Sequence, residues 1–277
     1  MKAAILFLTY LGFAMGLPSG NVNIDWSKIQ PMDVFVEPLP GAKPEIGTRV
    51  IGGSEATPNS IPYQVAVILD GSGLCGGSLI SREWVLSAAH CTIRASFVQV
   101  ILGAHNVQTI EATQVVSTSR DIMHHPSYSS STLANDISLI RLPSQVTLTR
   151  AIQVIALAPA SSGTFAGSTG LLSGWGRTSD ASNVISATLQ SVNLTIMTNA
   201  VCQNIFGNTF IIDSTICTSG IGPVGSCDSD SGGPLVVSNT QVGVVSFGSA
   251  LGCEAGLPTA FVRVSSVRSW ISSVAGV

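Results

Sequence analysis

The stretch "SCDSDSGGP", Ser226 to Pro234, places three serines within six residues, and the last of them, Ser231, stands before two glycines. A loop rich in serine and glycine is the plain interpretation, because the chain holds 28 glycines and much serine. Serine becomes a nucleophile only when a neighbouring base takes its proton and the base is itself oriented. The stretch therefore raises the question of whether the rest of the chain supplies a base and an orienting acid.

The four histidines are the candidates for the base. His90 ends an apolar run in "SAAHC" and is followed by Cys91, so a covalent link would hold its backbone in place. His105 lies in "GAHN", and His124 and His125 precede a proline; these three are predicted to be solvated surface residues. His90 is therefore the preferred base.

Asp136 is the candidate for the orienting acid. It stands in "ANDISLI", directly before an apolar run that is typical of a buried strand. A charge at such a place is costly unless it has a partner. Asp136 is therefore predicted to pair with another functional side chain.

Taken together, "AAHC", "NDISLI" and "DSGGP" resemble the motifs of the chymotrypsin-fold serine proteases, which place histidine, aspartate and serine in this order. The resemblance covers residues 50–277 and implies an all-β fold of two six-stranded antiparallel β-barrels with a C-terminal helix. It also implies that Ser231 attacks the scissile carbonyl, that His90 acts as general base and then general acid, and that Asp136 orients His90.

The pattern of apolar residues independently favours an all-β domain. Short β-branched and apolar runs alternate with Gly, Ser, Pro and Asn, namely 64–69, 97–102, 137–142, 171–174, 189–197, 241–247 and 259–264. The C-terminus differs, because its apolar residues follow the spacing of an amphipathic helix: Val267, Trp270, Ile271 and Val274.

The resemblance also implies an oxyanion hole and an activation switch. The backbone N–H groups of Ser229 and Ser231 would form the hole. Cleavage after Arg49 would free the amino group of Val50, which would pair with Asp230 and assemble the site.

Ser229 departs from the family, which almost always has glycine at this position. Any residue except proline still offers the backbone N–H, so the hole is not abolished, although the added side chain could shift it. Two interpretations stay open: an active protease, and a catalytically impaired homologue that acts as a binding protein.

The residues implied to line the S1 pocket, which holds the side chain before the scissile bond, are Gly225, Ser226, Gly248 and Thr259. Gly225 offers no charge to a basic side chain, and Gly248 leaves the entrance open. These features predict chymotrypsin-like cleavage after large apolar residues. An elastase-like or broad brachyurin-like specificity is the alternative, although Thr259 stands where brachyurins typically carry aspartate.

All six cysteines follow residue 49, and their number and spacing favour disulfides over a metal site. Spacing alone leaves all 15 connectivities open. The resemblance implies the pairs Cys75–Cys91, Cys202–Cys217 and Cys227–Cys253. We expect neither a metal nor an organic cofactor.

The first 49 residues differ in composition from the rest. Residues 1–16 have one lysine, a short apolar run and small residues, as in a cleaved signal peptide. Residues 17–49, called the leader below, hold five prolines and no cysteine, and are predicted to be a loosely ordered activation propeptide before the protease domain at 50–277. The chain is therefore expected to be a secreted zymogen.

The distribution of lysine bears on the environment in which the protein works. Lysine occurs only at Lys2, Lys28 and Lys43, so residues 50–277 contain none. Loss of lysine removes tryptic cleavage sites, which favours a digestive enzyme in a protease-rich lumen. The expected partners are protein or peptide substrates, an activating trypsin-like protease and protein protease inhibitors. No basic patch suggests nucleic acid, and no apolar run reaches the ~20 residues of a membrane span.

Overall fold

The structure is a computed structural model that describes residues 24–42, 53–182, 184–220 and 230–277. Several predicted features lie outside the described residues: the signal peptide at 1–16, Arg49, Val50, Gly225, Ser226, Cys227 and Ser229.

Seven antiparallel strands form the first barrel-like sheet, and they pair in the order β8-β7-β4-β5-β6-β10-β9. The strands are β4 (Gln64–Leu69), β5 (Gly73–Ser81), β6 (Trp84–Ser87), β7 (Val98–Leu102), β8 (Val115–Ser119), β9 (Asp121–His124) and β10 (Ser138–Arg141). Strand β4 lies between β5 and β7 and is buried along its whole length, and Val65 to Leu69 belong to the apolar core.

The second barrel-like sheet pairs in the order β11-β16-β15-β12-β13-β14-β17, and β16 also pairs with β17 and so closes it. Its strands are β11 (Ala156–Leu157), β12 (Thr169–Gly174), β13 (Gln190–Met197), β14 (Thr215–Thr218), β15 (Pro234–Val237), β16 (Thr240–Ser249) and β17 (Thr259–Arg263). Strand β3 (Ser54–Glu55) pairs with β13 at the edge. The predicted fold of two antiparallel barrels is confirmed.

The barrels share one apolar core and are joined by buried polar contacts. Ser78 of the first barrel donates to the side-chain oxygen of Gln241 in the second at 2.7 Å. Ser173 of the second donates to Gln64 of the first at the same distance. Such matched pairs satisfy polar groups that would otherwise be buried at a cost, and they fix how the two barrels meet.

Three helices accompany the strands: α1 (Ala89–Thr92), α2 (Asn199–Phe206) and α3 (Val264–Ala275). The predicted C-terminal helix is α3, with Val267 and Ile271 buried. Sequence periodicity does not reveal α1 or α2, because α1 is a single turn and α2 spans only eight residues. No helix of the described residues is long and apolar enough to cross a membrane.

Two predicted disulfides are present, Cys75–Cys91 and Cys202–Cys217. Cys253 is also disulfide-bonded. Its predicted partner, Cys227, lies outside the described residues.

The structure describes residues 24–42 of the leader, called the docked segment below. The prediction that the leader is loosely ordered is wrong for this segment. It begins with a 3₁₀ turn at Trp26–Lys28 and continues as two short strands, β1 (Gln30–Pro31) and β2 (Phe35–Val36). Strand β1 pairs with β5 of the first barrel and β2 with β16 of the second. The docked segment thus bridges the two barrels.

Candidate active site

His90 is placed by the first barrel. It lies in α1, directly after strand β6, and the disulfide from Cys91 to Cys75 ties this turn to β5. Alanines at 88 and 89 are fully buried, so the turn packs closely against the barrel. The covalent link that the sequence suggested therefore does hold the backbone beside the imidazole.

Asp136 reaches His90 because strands β6 and β10 are antiparallel. Ser87 at the end of β6 lies opposite Ser138 at the start of β10. His90, three residues after β6, and Asp136, two residues before β10, are therefore brought to the same edge of the sheet. Asn135, in the left-handed region at φ 54°, turns the chain just before Asp136.

The carboxylate of Asp136 is fully buried and well bonded. Its Oδ1 accepts the backbone N–H of His90 at 2.7 Å, and its Oδ2 accepts Nδ1–H of the same residue at 2.6 Å. Two bonds to one histidine fix both the position of the backbone and the plane of the ring. The predicted pairing of Asp136 with a functional side chain is found in the structure.

Ser246 is a site residue that the sequence analysis missed. Its hydroxyl donates to Asp136 Oδ2 at 2.7 Å, from strand β16 of the second barrel. Ser246 is 2% exposed, so the bond is shielded from water. A buried serine two positions before Gly248, within an otherwise apolar strand, was the available signal.

Ser231 lies in a turn before β15 and is 3% exposed. Gly232 has φ 81°, and a Cβ there would come within 2.6 Å of the carbonyl oxygen of Gly76. The carbonyl of Ser231 accepts the N–H of Gly76 at 2.8 Å. Gly232 is therefore required by this close approach of the turn to the first barrel, whereas a Cβ at Gly233 would lie 2.7 Å from the carbonyl oxygen of Asp230.

Ser231 and His90 both face the docked segment. The hydroxyl of Ser231 donates to Asp33 Oδ1 at 3.0 Å. His90 Nε2 lies 3.2 Å from the backbone oxygen of Met32. A serine hydroxyl has a single proton, so in this arrangement Ser231 does not donate to His90.

The surroundings of His90 favour its protonated form. Burial, the largest single influence, lowers the pKa of the imidazole; Asp136, the Met32 carbonyl and Asp33 act against it, and the pKa lies above its ordinary value. Both ring nitrogens face acceptors, and only the imidazolium can donate from both. The docked segment thus favours the protonated form of His90, which is not a base.

A pocket adjoins Ser231, between β16 and β17. The domain lines it with Val245, Phe247, Leu257 and both described residues of the predicted S1 set, Gly248 and Thr259. The docked segment contributes Asp33, Val34 and Phe35 to the same pocket. The structure therefore brings Gly248 and Thr259 together beside Ser231.

Asp230, predicted to receive the new N-terminus, lies beside strand β12. Its Oδ1 accepts the N–H of Gly176 at 3.3 Å, and a Cβ at Gly174 would collide with the carboxylate. Val50 and the oxyanion-hole residue Ser229 lie outside the described residues.

The prediction that the other histidines are solvated is wrong for His105, whose side chain is 13% exposed and whose Nε2 lies 2.8 Å from Glu55. It is also too simple for His124 and His125. His124 contacts the hydroxyl of Thr92 at 3.0 Å, and His125 packs edge-on against Trp270. Single-residue context does not show these partners, because they lie far away in sequence.

One group of possible metal ligands comes together in the described residues, at Cys75, His90 and Cys91. The two sulfurs are joined in a disulfide. They are therefore not the thiolates that a zinc site requires.

Comparison with known proteins completes the picture. The family model described as Trypsin matches residues 50–271. Brachyurin from Leptuca pugilator is 46% identical over 82% of this chain and 99% of its own length. Chymotrypsin from Phaedon cochleariae is 36% identical over 99% of this chain and 98% of its own. The solved structure of HL collagenase superposes with a TM-score of 0.74 at 37% identity, covering 82% of this chain and 99% of that one.

Proposed function

This chain belongs to the trypsin family and is a serine endopeptidase acting on protein substrates, and we propose that it is the secreted zymogen of a chymotrypsin-like enzyme that cleaves after large apolar residues. In this proposal Ser231 forms the acyl-enzyme. His90 takes the proton of Ser231 and then gives it to the leaving amine, and Asp136 and Ser246 position His90.

The observation that carries the specificity is the lining of the pocket beside Ser231. The lining residues that the described part of the domain supplies carry no charge, so a lysine or arginine side chain would lose hydration without gaining an acidic partner. Gly248 leaves the wall open to an aromatic ring. An uncharged, open pocket of this kind favours Phe, Tyr, Leu and Met.

Activation would follow cleavage of the Arg49–Val50 bond. The ammonium of Val50 would then pair with Asp230, the neighbour of Ser231, and order the backbone N–H groups of Ser229 and Ser231 as the oxyanion hole. Because Asp230 adjoins the nucleophile in sequence, an ion pair there acts directly on the donors that stabilise the tetrahedral intermediate.

A digestive role fits the absence of lysine after residue 43. An enzyme that is activated by a trypsin-like protease has to survive the presence of that protease. Fewer tryptic sites would lengthen its life in such a fluid. Secretion into a digestive lumen, protein protease inhibitors as partners, and the signal peptide at 1–16 belong to the same proposal.

The test is cleavage of the proenzyme at Arg49 with trypsin, followed by removal of the trypsin and assay of matched peptides with Phe, Leu, Ala or Arg before the scissile bond. The proposal expects Phe and Leu to be hydrolysed fastest, with Arg lower by at least about 10²-fold. If the Ala peptide were hydrolysed fastest, elastase-like selectivity would be favoured. No turnover after verified exposure of Val50 would favour the impaired homologue in which Ser229 spoils the oxyanion hole.

A broader, brachyurin-like specificity is the second candidate, favoured by the 46% identity to a brachyurin. It predicts that the Arg peptide is hydrolysed within about tenfold of the Phe peptide. The same peptide series therefore separates the two candidates.

A further inference from the structure

The docked segment follows one continuous path across the active site. On the first barrel, the N–H of Gln30 donates to Ser72 at 2.7 Å and that of Met32 to Leu74 at 3.2 Å. On the second barrel, Val34 accepts the N–H of Gly248 at 3.1 Å. Met32 and Asp33, between these anchors, face His90 and Ser231.

The path has apolar anchors on both sides of the catalytic residues. Ile29 and Val36 are each 6% exposed. Ile29 belongs to the core cluster of the two barrels, and Val36 to a second cluster that includes Phe206 and Phe247. Burial of two such side chains favours the docked state through the hydrophobic effect.

The direction of the segment is opposite to that of a substrate. Under the proposed function, the residue in the pocket is the one whose carbonyl is attacked. The proposed function also takes the residues before it to extend along β16, whose Gly248 lines the pocket. A substrate chain therefore passes β16 before it reaches Ser231.

The docked segment reaches Ser231 first, through Asp33, and passes β16 afterwards, through Phe35 and Val36. Its strand β2 accordingly runs parallel to β16, and its strand β1 runs parallel to β5 on the other barrel. The docked segment therefore runs parallel to the strand with which it pairs on each barrel.

The group presented to the nucleophile is also unreactive. Ser231 contacts the carboxylate of Asp33, not a backbone carbonyl. A carboxylate repels an incoming alkoxide and has no leaving group to expel. The same contact takes the single hydroxyl proton of Ser231 away from His90, whose Nε2 contacts Met32.

We propose that the docked segment is a reversed, non-cleavable inhibitor of its own enzyme, which binds the active-site cleft and, once Arg49–Val50 is cut, still inhibits the mature protease as a separate peptide. Asp33 is its central contact, and Ile29 and Val36 are its anchors. The direction argument rests on the proposed function, whereas the contacts with His90 and Ser231 do not. Activation therefore has two steps, cleavage and then dissociation of the peptide.

The experiment uses the cleaved enzyme, freed of trypsin and leader, and a synthetic peptide of residues 24–42 with blocked ends. The expected result is competitive inhibition of Phe-peptide hydrolysis, with the inhibitor recovered intact by mass spectrometry. An Asp33→Asn peptide is expected to inhibit 10- to 100-fold more weakly, since the acceptor of the Ser231 hydroxyl loses its negative charge. The matched acid-to-amide change Glu37→Gln, at an exposed residue, should alter inhibition by no more than about twofold.

A second readout keeps the inference separate from the proposed function. Fluorescence anisotropy of labelled 24–42 peptide measures its binding to the cleaved enzyme whether or not the Phe peptide is hydrolysed. Absence of binding up to about 1 mM would overturn the proposal, as would binding that leaves hydrolysis unaffected. Cleavage of the peptide between Met32 and Val36 would overturn the reversed direction.

Discussion

The two halves of the catalytic machinery are held in different ways. His90 and Asp136 come from the first barrel, and the bonds between them and from the hydroxyl of Ser246 lie within the protease domain, although His90 Nε2 also contacts Met32 of the docked segment. Ser231 and the pocket belong to the second barrel, and both are engaged by the docked segment. Under the proposed function, the difference indicates that the base and its orienting acid are in place before cleavage at Arg49, and that activation acts mainly on the nucleophile and the pocket.

The largest expected effect comes from breaking the pairing of His90 with Asp136. Asp136→Asn should lower kcat, and with it kcat/KM, by about 10⁴-fold, as the same change lowers kcat in the family's type protease, because the amide holds the imidazole in the wrong tautomer. Steady-state kinetics of the cleaved enzyme measure it. Asp121→Asn, an exposed acid on β9, is the matched control and should leave kcat/KM unchanged. A loss below about tenfold would mean that Asp136 does not orient the base.

The role of the pocket beside Ser231 is tested by Gly248→Val. Its side chain would enter the space where the ring of Phe35 now lies 3.8 Å from an ideal Cβ. Hydrolysis of the Phe peptide should fall by about 10²-fold relative to the Ala peptide, since a filled pocket rejects the larger group. Gly163→Val, on an exposed loop with open space around its Cβ, is the control. An unchanged ratio would show that substrate side chains do not pass Gly248.

Ser246 joins the two halves, and its removal should have a smaller effect. Ser246→Ala leaves Asp136 with one donor fewer, so the carboxylate interacts more strongly with the imidazolium. We expect kcat/KM to fall by about tenfold and the acidic limb of its pH profile to move to higher pH. Ser138→Ala, another buried serine, whose hydroxyl donates to the carbonyl of Ala88, should leave that limb in place. A shift shared by both variants would point to general loosening of the barrel.

The smallest effect concerns the pH dependence of the docked segment. Asp136 faces His90 whether or not the segment is bound, whereas the Met32 carbonyl and Asp33 face it only in the docked state. There the pKa of His90 is raised, against the lowering effect of burial. This contribution to binding is present at low pH and lost as pH rises through the docked-state pKa. The 24–42 peptide should therefore bind a few-fold more tightly at about pH 6 than at about pH 9, by anisotropy; tighter binding at the higher pH would contradict the account.

The sequence predicted the family and the all-β fold because the signals for both are local. The residues around His90, Asp136 and Ser231 lie in short motifs whose order identifies the family. All seven predicted apolar runs overlap observed strands, and 64–69 coincides with β4. Ser246 was missed because its role depends on a contact 110 residues away.

The docking of the leader could not be predicted in the same way. Strands β1 and β2 have two residues each, too few to produce a periodic pattern. The prolines of the leader suggested loose order, yet the segment is held by the edges of two barrels and by Asp33. Its structure depends on contacts with the two barrels. Those contacts are far away in sequence, so local patterns in the leader do not predict them.

The most direct test of the central claim is acylation of Ser231 by an active-site-directed ester, measured by mass spectrometry before and after cleavage at Arg49. The account predicts little acylation of the uncleaved chain and one acyl group per molecule, on Ser231, once Val50 is exposed and the leader peptide is removed. Equal acylation before cleavage would contradict an inhibited nucleophile. No acylation afterwards would contradict a functional Ser231.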